Sequence, residues 1–196
     1  EKMLIKRVLG RMVPSGALPA DVGAVVSNVS TVKAISDAIQ KGMPLVERVI
    51  TVTGPYIPNP QNFIATIGTN IADLVADCGG VMAGDVTIKA GGPMMGFVKK
   101  SLEIPVMKGS NGLIAVDTDH TETVECIKCG RCVDVCPMQL SPLNFAKFAD
   151  NQDWVNMKKL NVMDCMECRC CEAICSSKIP LLSKIKAGKA AVRELK

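Results

Sequence analysis

Nine of the ten cysteines fall between Cys126 and Cys175, in two runs of the same spacing. Cys126-Ile127-Lys128-Cys129-Gly130-Arg131-Cys132-Val133-Asp134-Val135-Cys136-Pro137 is a complete C-x2-C-x2-C-x3-C-P run, and Cys165, Cys168, Cys171 and Cys175 repeat its spacing. Three thiolates at such intervals let one tight loop reach three irons of a cubane, while the fourth iron needs a more distant ligand. The chemistry indicated is one-electron transfer through two 4Fe-4S clusters. A zinc-stabilised interaction module is the rival from another class. Zinc favours C-x2-C pairs in fours and has no use for three closely spaced cysteines twice over.

In two-cluster proteins with this run, the fourth cysteine of each run serves the other cluster. Cys126, Cys129, Cys132 and Cys175 are therefore expected to hold one cluster, and Cys165, Cys168, Cys171 and Cys136 the second. Cys175 is followed by Ser176 where the first run has Pro137, which leaves room for a different backbone after the second run. Cys170, a ninth thiol inside that run, reads as a small packing residue rather than a spare ligand, since a ligand swap would spoil the spacing. Cys78 reads as a buried, inert thiol. Gly91-Gly92-Pro93-Met94-Met95-Gly96 lacks both the G-x-G-x-x-G arrangement and a following Lys-Ser/Thr, so by chemistry it is a turn. His120 reads as solvated in a polar linker and Trp154 as packing; no Ser/His/Asp or paired-carboxylate arrangement suggests hydrolysis.

The elements that must position these residues follow from punctuation and period. Met3 to Leu9 is apolar-rich, and Val13 to Gly23 is loop. Thr31 can cap a helix with Val32, Ile35 and Ile39 as its stripe and Gly42 as its stop. Val49–Thr53, Phe63–Ile67, Val86–Lys89 and Leu113–Val116 read as strands, interrupted by one helix capped by Asn70, buried through Ile71, Leu74 and Val75, and ended at Gly79-Gly80. Strands around a single helix make a β-grasp-like module. Asp117-Thr118-Asp119-His120 is a polar link, after which β-branched strands give way to cysteines. Ser141-Pro142 and Pro180 open the helices that connect the cysteine loops.

Composition bounds the rest. Apolar residues make up 48% but aromatics only 3%, so the core is built from aliphatic side chains and Met. No apolar run reaches the roughly 18 residues that a spanning helix needs, and no leader precedes the first residues, so an intracellular setting is expected. The formal charge of +4 is nearly cancelled by two clusters at about −2 each. Nucleic-acid binding gains little support, since no basic run with interleaved aromatics is present.

With these residues assembled, the chain resembles the RnfC subunit of membrane-bound Rnf electron-transport complexes almost end to end. The resemblance rests on Val13-Pro14-Ser15-Gly16-Ala17-Leu18-Pro19-Ala20-Asp21-Val22-Gly23, Asn28-Val29, Glu47-Arg48-Val49-Ile50-Thr51-Val52-Thr53-Gly54, the Gly91–Gly96 stretch, Pro105-Val106 with Lys108-Gly109, and the cysteine runs. It implies ferredoxin:NAD oxidoreduction coupled to ion pumping. The RnfC-like chain would be peripheral on the cytoplasmic side of the membrane, with the other Rnf subunits, ferredoxin and NAD(H) as partners. The resemblance also implies an α+β chain in three parts: residues 1–46 as the end of a flavin- and NADH-binding domain, 47–117 as a soluble-ligand-binding β-grasp (SLBB) module, and 118–196 as an α-helical two-4Fe-4S ferredoxin-like domain. Asn28 matches a family position near the flavin. The glycine-rich loops that hold FMN and NADH in the family are not present in these residues, so that site is expected to be incomplete here. An RnfC-like cobalamin reductase is the family-level alternative, and the Gly-Gly-Pro-Met-Met-Gly stretch favours RnfC.

Overall fold

The computed structural model describes all residues except 119, 121 and 196; the expected link residue Asp119 therefore lies outside the described residues. The chain divides into two compact units, one made of residues 1–26 with 121–196 and the other of residues 27–120. The first unit opens with helix α1, Lys2–Leu9, where the apolar-rich stretch was read, ended by Gly10 in the left-handed region at φ 65. The 46 N-terminal residues are thus shared between the two units.

In the unit of residues 27–120, helix α2 (Val29–Lys41) leads into strands β1 (Glu47–Thr53) and β2 (Gln61–Thr66), helix α3 (Ile71–Asp77), and strands β3 (Val86–Ala90), β4 (Phe97–Lys99) and β5 (Gly112–Asp117). The sheet order is β2-β1-β5-β3-β4. Strands β1 and β5 are its parallel centre, with Val52 opposite Leu113, and the remaining pairs are antiparallel. The two-residue period of β1 explains its burial: Ile50 and Val52 are 1% exposed and pack with Ile71, Leu74 and Val75 of α3, while Val49 beside them faces out. Asn70 caps α3 as expected, its Oδ1 accepting the Ala72 N–H at 3.2 Å. After β1 the chain must pass against β5. A Cβ on Gly54, which has φ 127, would lie 2.1 Å from the Ala115 carbonyl oxygen, so only glycine fits.

Three local readings change. The cap of α2 is Asn28, whose Oδ1 accepts the Ser30 N–H at 2.9 Å, and Thr31 lies inside the helix. An Asx side chain reaches that early N–H without distorting the turn, so the helix begins at the first residue able to close it. The α2 stripe has the helical period, yet Val29, Val32, Ile35 and Ile39 are all more than half exposed. Finally, the Gly91–Gly96 stretch is indeed a turn, but it delivers a strand the sequence did not announce, β4. Gly96 donates to the Gly92 carbonyl at 2.8 Å, and β4 then pairs back onto β3.

The unit carrying the cysteines is helical: α4 (Arg131–Asp134), α5 (Pro142–Asp150), α6 (Trp154–Lys159), α7 (Cys170–Ala173) and α8 (Leu181–Glu194). Phe145 of α5, Met157 of α6 and Ile185 of α8 are at most 1% exposed and form its core, with Trp154 packed at the side as a structural residue. Gly188 lets α8 approach α6. A Cβ there would sit 2.2 Å from the Met157 Cε. No helix of the described residues is long and apolar enough to cross a membrane.

Candidate metal centre

The cysteine unit is two copies of one device, related by a constant offset of 39 positions from Cys126 to Cys165 and from Cys136 to Cys175. In the first loop Lys128 and Gly130 take left-handed backbone, at φ 55 and 79, and in the second Glu167 and Arg169 do the same at φ 58 and 63. Two left-handed residues flanking the second cysteine curl each loop, and its three cysteines line one cavity. Each loop then enters a one-turn helix, α4 or α7, that carries the third cysteine: Cys132 lies in α4 and Cys171 in α7.

After the fourth cysteine the turns also match. Gln139 donates to the Cys136 carbonyl at 3.0 Å and Lys178 to the Cys175 carbonyl at 3.2 Å, with both residues left-handed at φ 55 and 50. The absent proline therefore changes nothing in the backbone. The turn is fixed by its own hydrogen bond, and Ser177 ties the loop to the start of the first run: its buried Oγ donates to the Glu125 carbonyl at 2.9 Å. Val124 adds a backbone bond to the Ser177 carbonyl at 3.1 Å, tying the start of the first run to the end of the second.

Folding sorts the eight cysteines into two cavities. One, of about 770 Å³, is lined by Cys126, Cys129, Cys132 and Cys175. The other, of about 20 Å³, is lined by Cys136, Cys165, Cys168 and Cys171. Electrostatics groups them in the same way. Burial pushes the Cys132 thiol up, and the thiols that push it further are Cys175, Cys126 and Cys129. Cys171 is pushed up to about 12, first by burial and then by Cys165, Cys168 and Cys136. Burial also raises Cys165, against a partial lowering by the Glu167 backbone first and then by Lys189. These thiols are protonated near neutrality, so binding a metal here must displace protons.

The donor chemistry fits iron-sulfur clusters. Each cavity offers four thiols, and backbone N–H groups already point at sulfur: Lys128 to Cys126 Sγ and Leu140 to Cys136 Sγ, both at 3.4 Å. A single zinc ion would need its thiolates within about 4 Å of one another. Among the described residues no three His, Cys, Asp or Glu side chains are gathered to hold one ion. A cubane presents its irons at separate corners, so its ligands need not converge on a point. The first cavity has open room beside its exposed Cys126 and Cys129. The second is closed down by Met138, Leu140 and Met166, flexible side chains that can turn aside for a cluster.

The family models for the SLBB domain and for the 4Fe-4S dicluster domain match residues 49–98 and 125–179. The C subunit of the proton-translocating ferredoxin:NAD(+) oxidoreductase complex of Clostridium ljungdahlii is 51% identical over 145 residues, which is 72% of this chain and 32% of that protein. The chain is a homologue of RnfC subunits. The corresponding member of the Na(+)-translocating ferredoxin:NAD(+) oxidoreductase complex of Acetobacterium woodii is 41% identical over 192 residues, 96% of this chain and 43% of the relative. That of the ion-translocating oxidoreductase complex of Rhodobacter capsulatus is 37% identical over 197 residues, 99% of the chain and 38% of the relative. The chain thus spans between about a third and under half of these RnfC relatives. Its fold is the α+β combination expected: an SLBB β-grasp sheet and a helical dicluster domain.

None of the other singled-out residues lines a cysteine cavity. Asn28 lies in the sheet unit at the start of α2, and Cys78 is 0% exposed in the core of that unit. His120 is exposed and paired with Asp85. Cys170 stands within hydrogen-bonding reach of Cys168, which raises its pKa, and is absent from the lining of the second cavity. Cys170→Ala is therefore expected to leave iron content unchanged at about eight per chain. Iron analysis of the anaerobic variant checks this, and a drop by half makes Cys170 a ligand. Two residues escaped the reading of motifs, Glu167 and Lys189. Aligning the two runs at their offset would have marked them, since that alignment sets Lys128 against Glu167 and Asp150 against Lys189.

Proposed function

We propose that this chain relays single electrons through two 4Fe-4S clusters, held by Cys126, Cys129, Cys132 and Cys175 and by Cys136, Cys165, Cys168 and Cys171, within an ion-translocating ferredoxin:NAD oxidoreductase of the Rnf type. The observation that carries the reading is the crosswise sorting of two sequence runs into two four-thiol cavities. Each cluster, when bound, accepts and gives one electron. The protein's own part is to direct N–H groups at sulfur, to set the second site in a tight lining that includes Met138, Leu140 and Phe145, and to leave Cys126 and Cys129 at the surface, where a redox partner can approach.

On this reading residues 118–196 carry the electrons, 47–117 form the SLBB module, and 1–46 complete a flavin- and NADH-binding part. The Asn28 amide, its oxygen already spent on the α2 cap, would offer its NH2 to a flavin. The partners are the other Rnf subunits, with ferredoxin and NAD(H) reached through the complex, and the place is the cytoplasmic face of the membrane. Hydride transfer needs a flavin held against a nicotinamide, commonly by glycine-rich turns that these 196 residues lack.

The expected result with anaerobic protein is therefore a brown colour that dithionite bleaches, together with neither calorimetric NADH binding at micromolar concentration nor NADH-driven dye reduction. A colourless, zinc-containing protein overturns the electron-transfer reading. NADH turnover with intact clusters overturns only the expectation of an incomplete flavin site.

A further inference from the structure

The two halves of the cysteine unit match in backbone but not in charge. Lys189 of α8 is only 9% exposed, and its ammonium donates to the Cys165 carbonyl at 3.0 Å and to Glu167 Oε1 at 2.6 Å. Glu167 lines the second cavity and meets Lys186 through its other oxygen at 3.6 Å. The residue 39 positions before Lys189 is Asp150, exposed and paired with Lys184. Where the second half buries a cation behind its first cysteine, the first half has a carboxylate at the surface. Nothing in ferredoxin-type spacing calls for a lysine there, and a buried ammonium is costly unless it is paired and satisfied.

Resting on the two-cluster reading, we infer that Lys189 is a positioning and tuning residue of the second cluster: it clamps the Cys165–Cys171 loop and holds that cluster's reduction potential up. The sign follows from charge. Reduction adds one negative charge to a site already near −2, and a fixed cation close to one ligand favours the reduced form. Burial shields it from solvent and salt, unlike the exposed Lys128 and Lys147 that line the first cavity. Glu167 opposes the effect but is itself held by Lys189 and Lys186, so removing Lys189 withdraws a cation and strengthens the field of the carboxylate that lines the cavity. The inference concerns the second cluster alone. The ranking of the two clusters also depends on the greater solvent access of the first.

The test is a spectroelectrochemical titration of the anaerobically loaded full chain, after iron and sulfide analysis has established two clusters. Lys189→Gln keeps a donor for the Cys165 carbonyl while removing the charge, and Lys189→Arg keeps both. The expected result is that one of the two potentials moves negative in Lys189→Gln, stays in place in Lys189→Arg, and belongs to the cluster that survives in the Cys129→Ser chain. Two unmoved potentials, or a shift confined to the cluster lost in Cys129→Ser, overturn the inference. If Lys189→Gln does not retain its second cluster, Glu167→Gln decides. A positive shift of that cluster supports the role of Lys189, and no shift or a negative one overturns it. Wild-type protein that loads only one cluster, or none, refutes the two-cluster reading instead and is recognised before any potential is measured.

Discussion

Cys129→Ser and Cys175→Ser, although they alter different runs, are expected to abolish the same cluster and leave the other in place. Both residues line the 770 Å³ cavity with Cys126 and Cys132, and Cys175 is first among the thiols acting on Cys132. A serine oxygen is a harder and less acidic ligand than a thiolate, so each variant leaves one iron of that cubane without its proper donor. The wild-type chain is expected to contain about eight irons and eight acid-labile sulfides, and each variant about half of that. Cys136→Ser is the control from the first run, since Cys136 lines the second cavity and its loss should remove the other cluster. Electron paramagnetic resonance of the dithionite-reduced variants checks the assignment. If Cys175→Ser keeps the signal that Cys129→Ser loses, the crosswise pairing is wrong and each run serves its own cluster.

Removing the metal should dismantle one unit and spare the other. The sheet unit has a continuous aliphatic core, in which Ile50, Val52, Val106 and Cys78 are at most 1% exposed and α3 is capped by its own asparagine. The cysteine unit is thinner: α4 and α7 are single turns of four residues, and the cluster of Cys132, Ala146 and Leu181 depends on cysteines for its walls. Among the described residues, seven other than glycine carry positive φ, and all lie between Lys128 and Lys178. Each costs of order 1 kcal/mol or more, and backbone like this persists only where surrounding links hold it. Crosswise ligation supplies those links by joining loops that the sequence sets far apart, so metal binding is in part folding free energy.

After clusters are stripped with an iron chelator under oxidant and the thiols are re-reduced, hydrogen-exchange protection should fall to near zero in α5 and α8 while persisting in β1 and β5. Protection that survives unchanged in α5 and α8 would mean that their aliphatic contacts suffice without metal.

Much of the candidate site was legible from spacing alone, because cysteines at two-residue intervals serve little else and their chemistry is local. The sheet was legible for a similar reason: alternation along Val49–Thr53 and the Asn70 cap are short-range signals that the fold did not override. Less local features escaped. Strand β4 has three residues and exists only because the Gly91–Gly96 turn returns it to β3, and the cap of α2 lies at Asn28, a stronger capping residue than Thr31, because its Oδ1 reaches the Ser30 N–H. The serine after Cys175 leaves the turn as it is because the Lys178 N–H closes it on the Cys175 carbonyl, while Ser177 reaches Glu125, a contact no window of sequence contains.

By itself the sequence determined which eight thiols are available, that they form two equivalent runs, and that a β-grasp sheet precedes them. Periodicity, caps and ligand spacing act within a few residues, which is why they can be read directly. Only the tertiary structure decided that the two cavities are unequal, one open beside exposed Cys126 and Cys129 and one tight, with the buried Lys189 ammonium behind Cys165. The physical reason is that burial and electrostatics depend on which distant segments pack together. A lysine on α8 becomes a fixed charge only once the fold has carried it out of water and set it against the second loop.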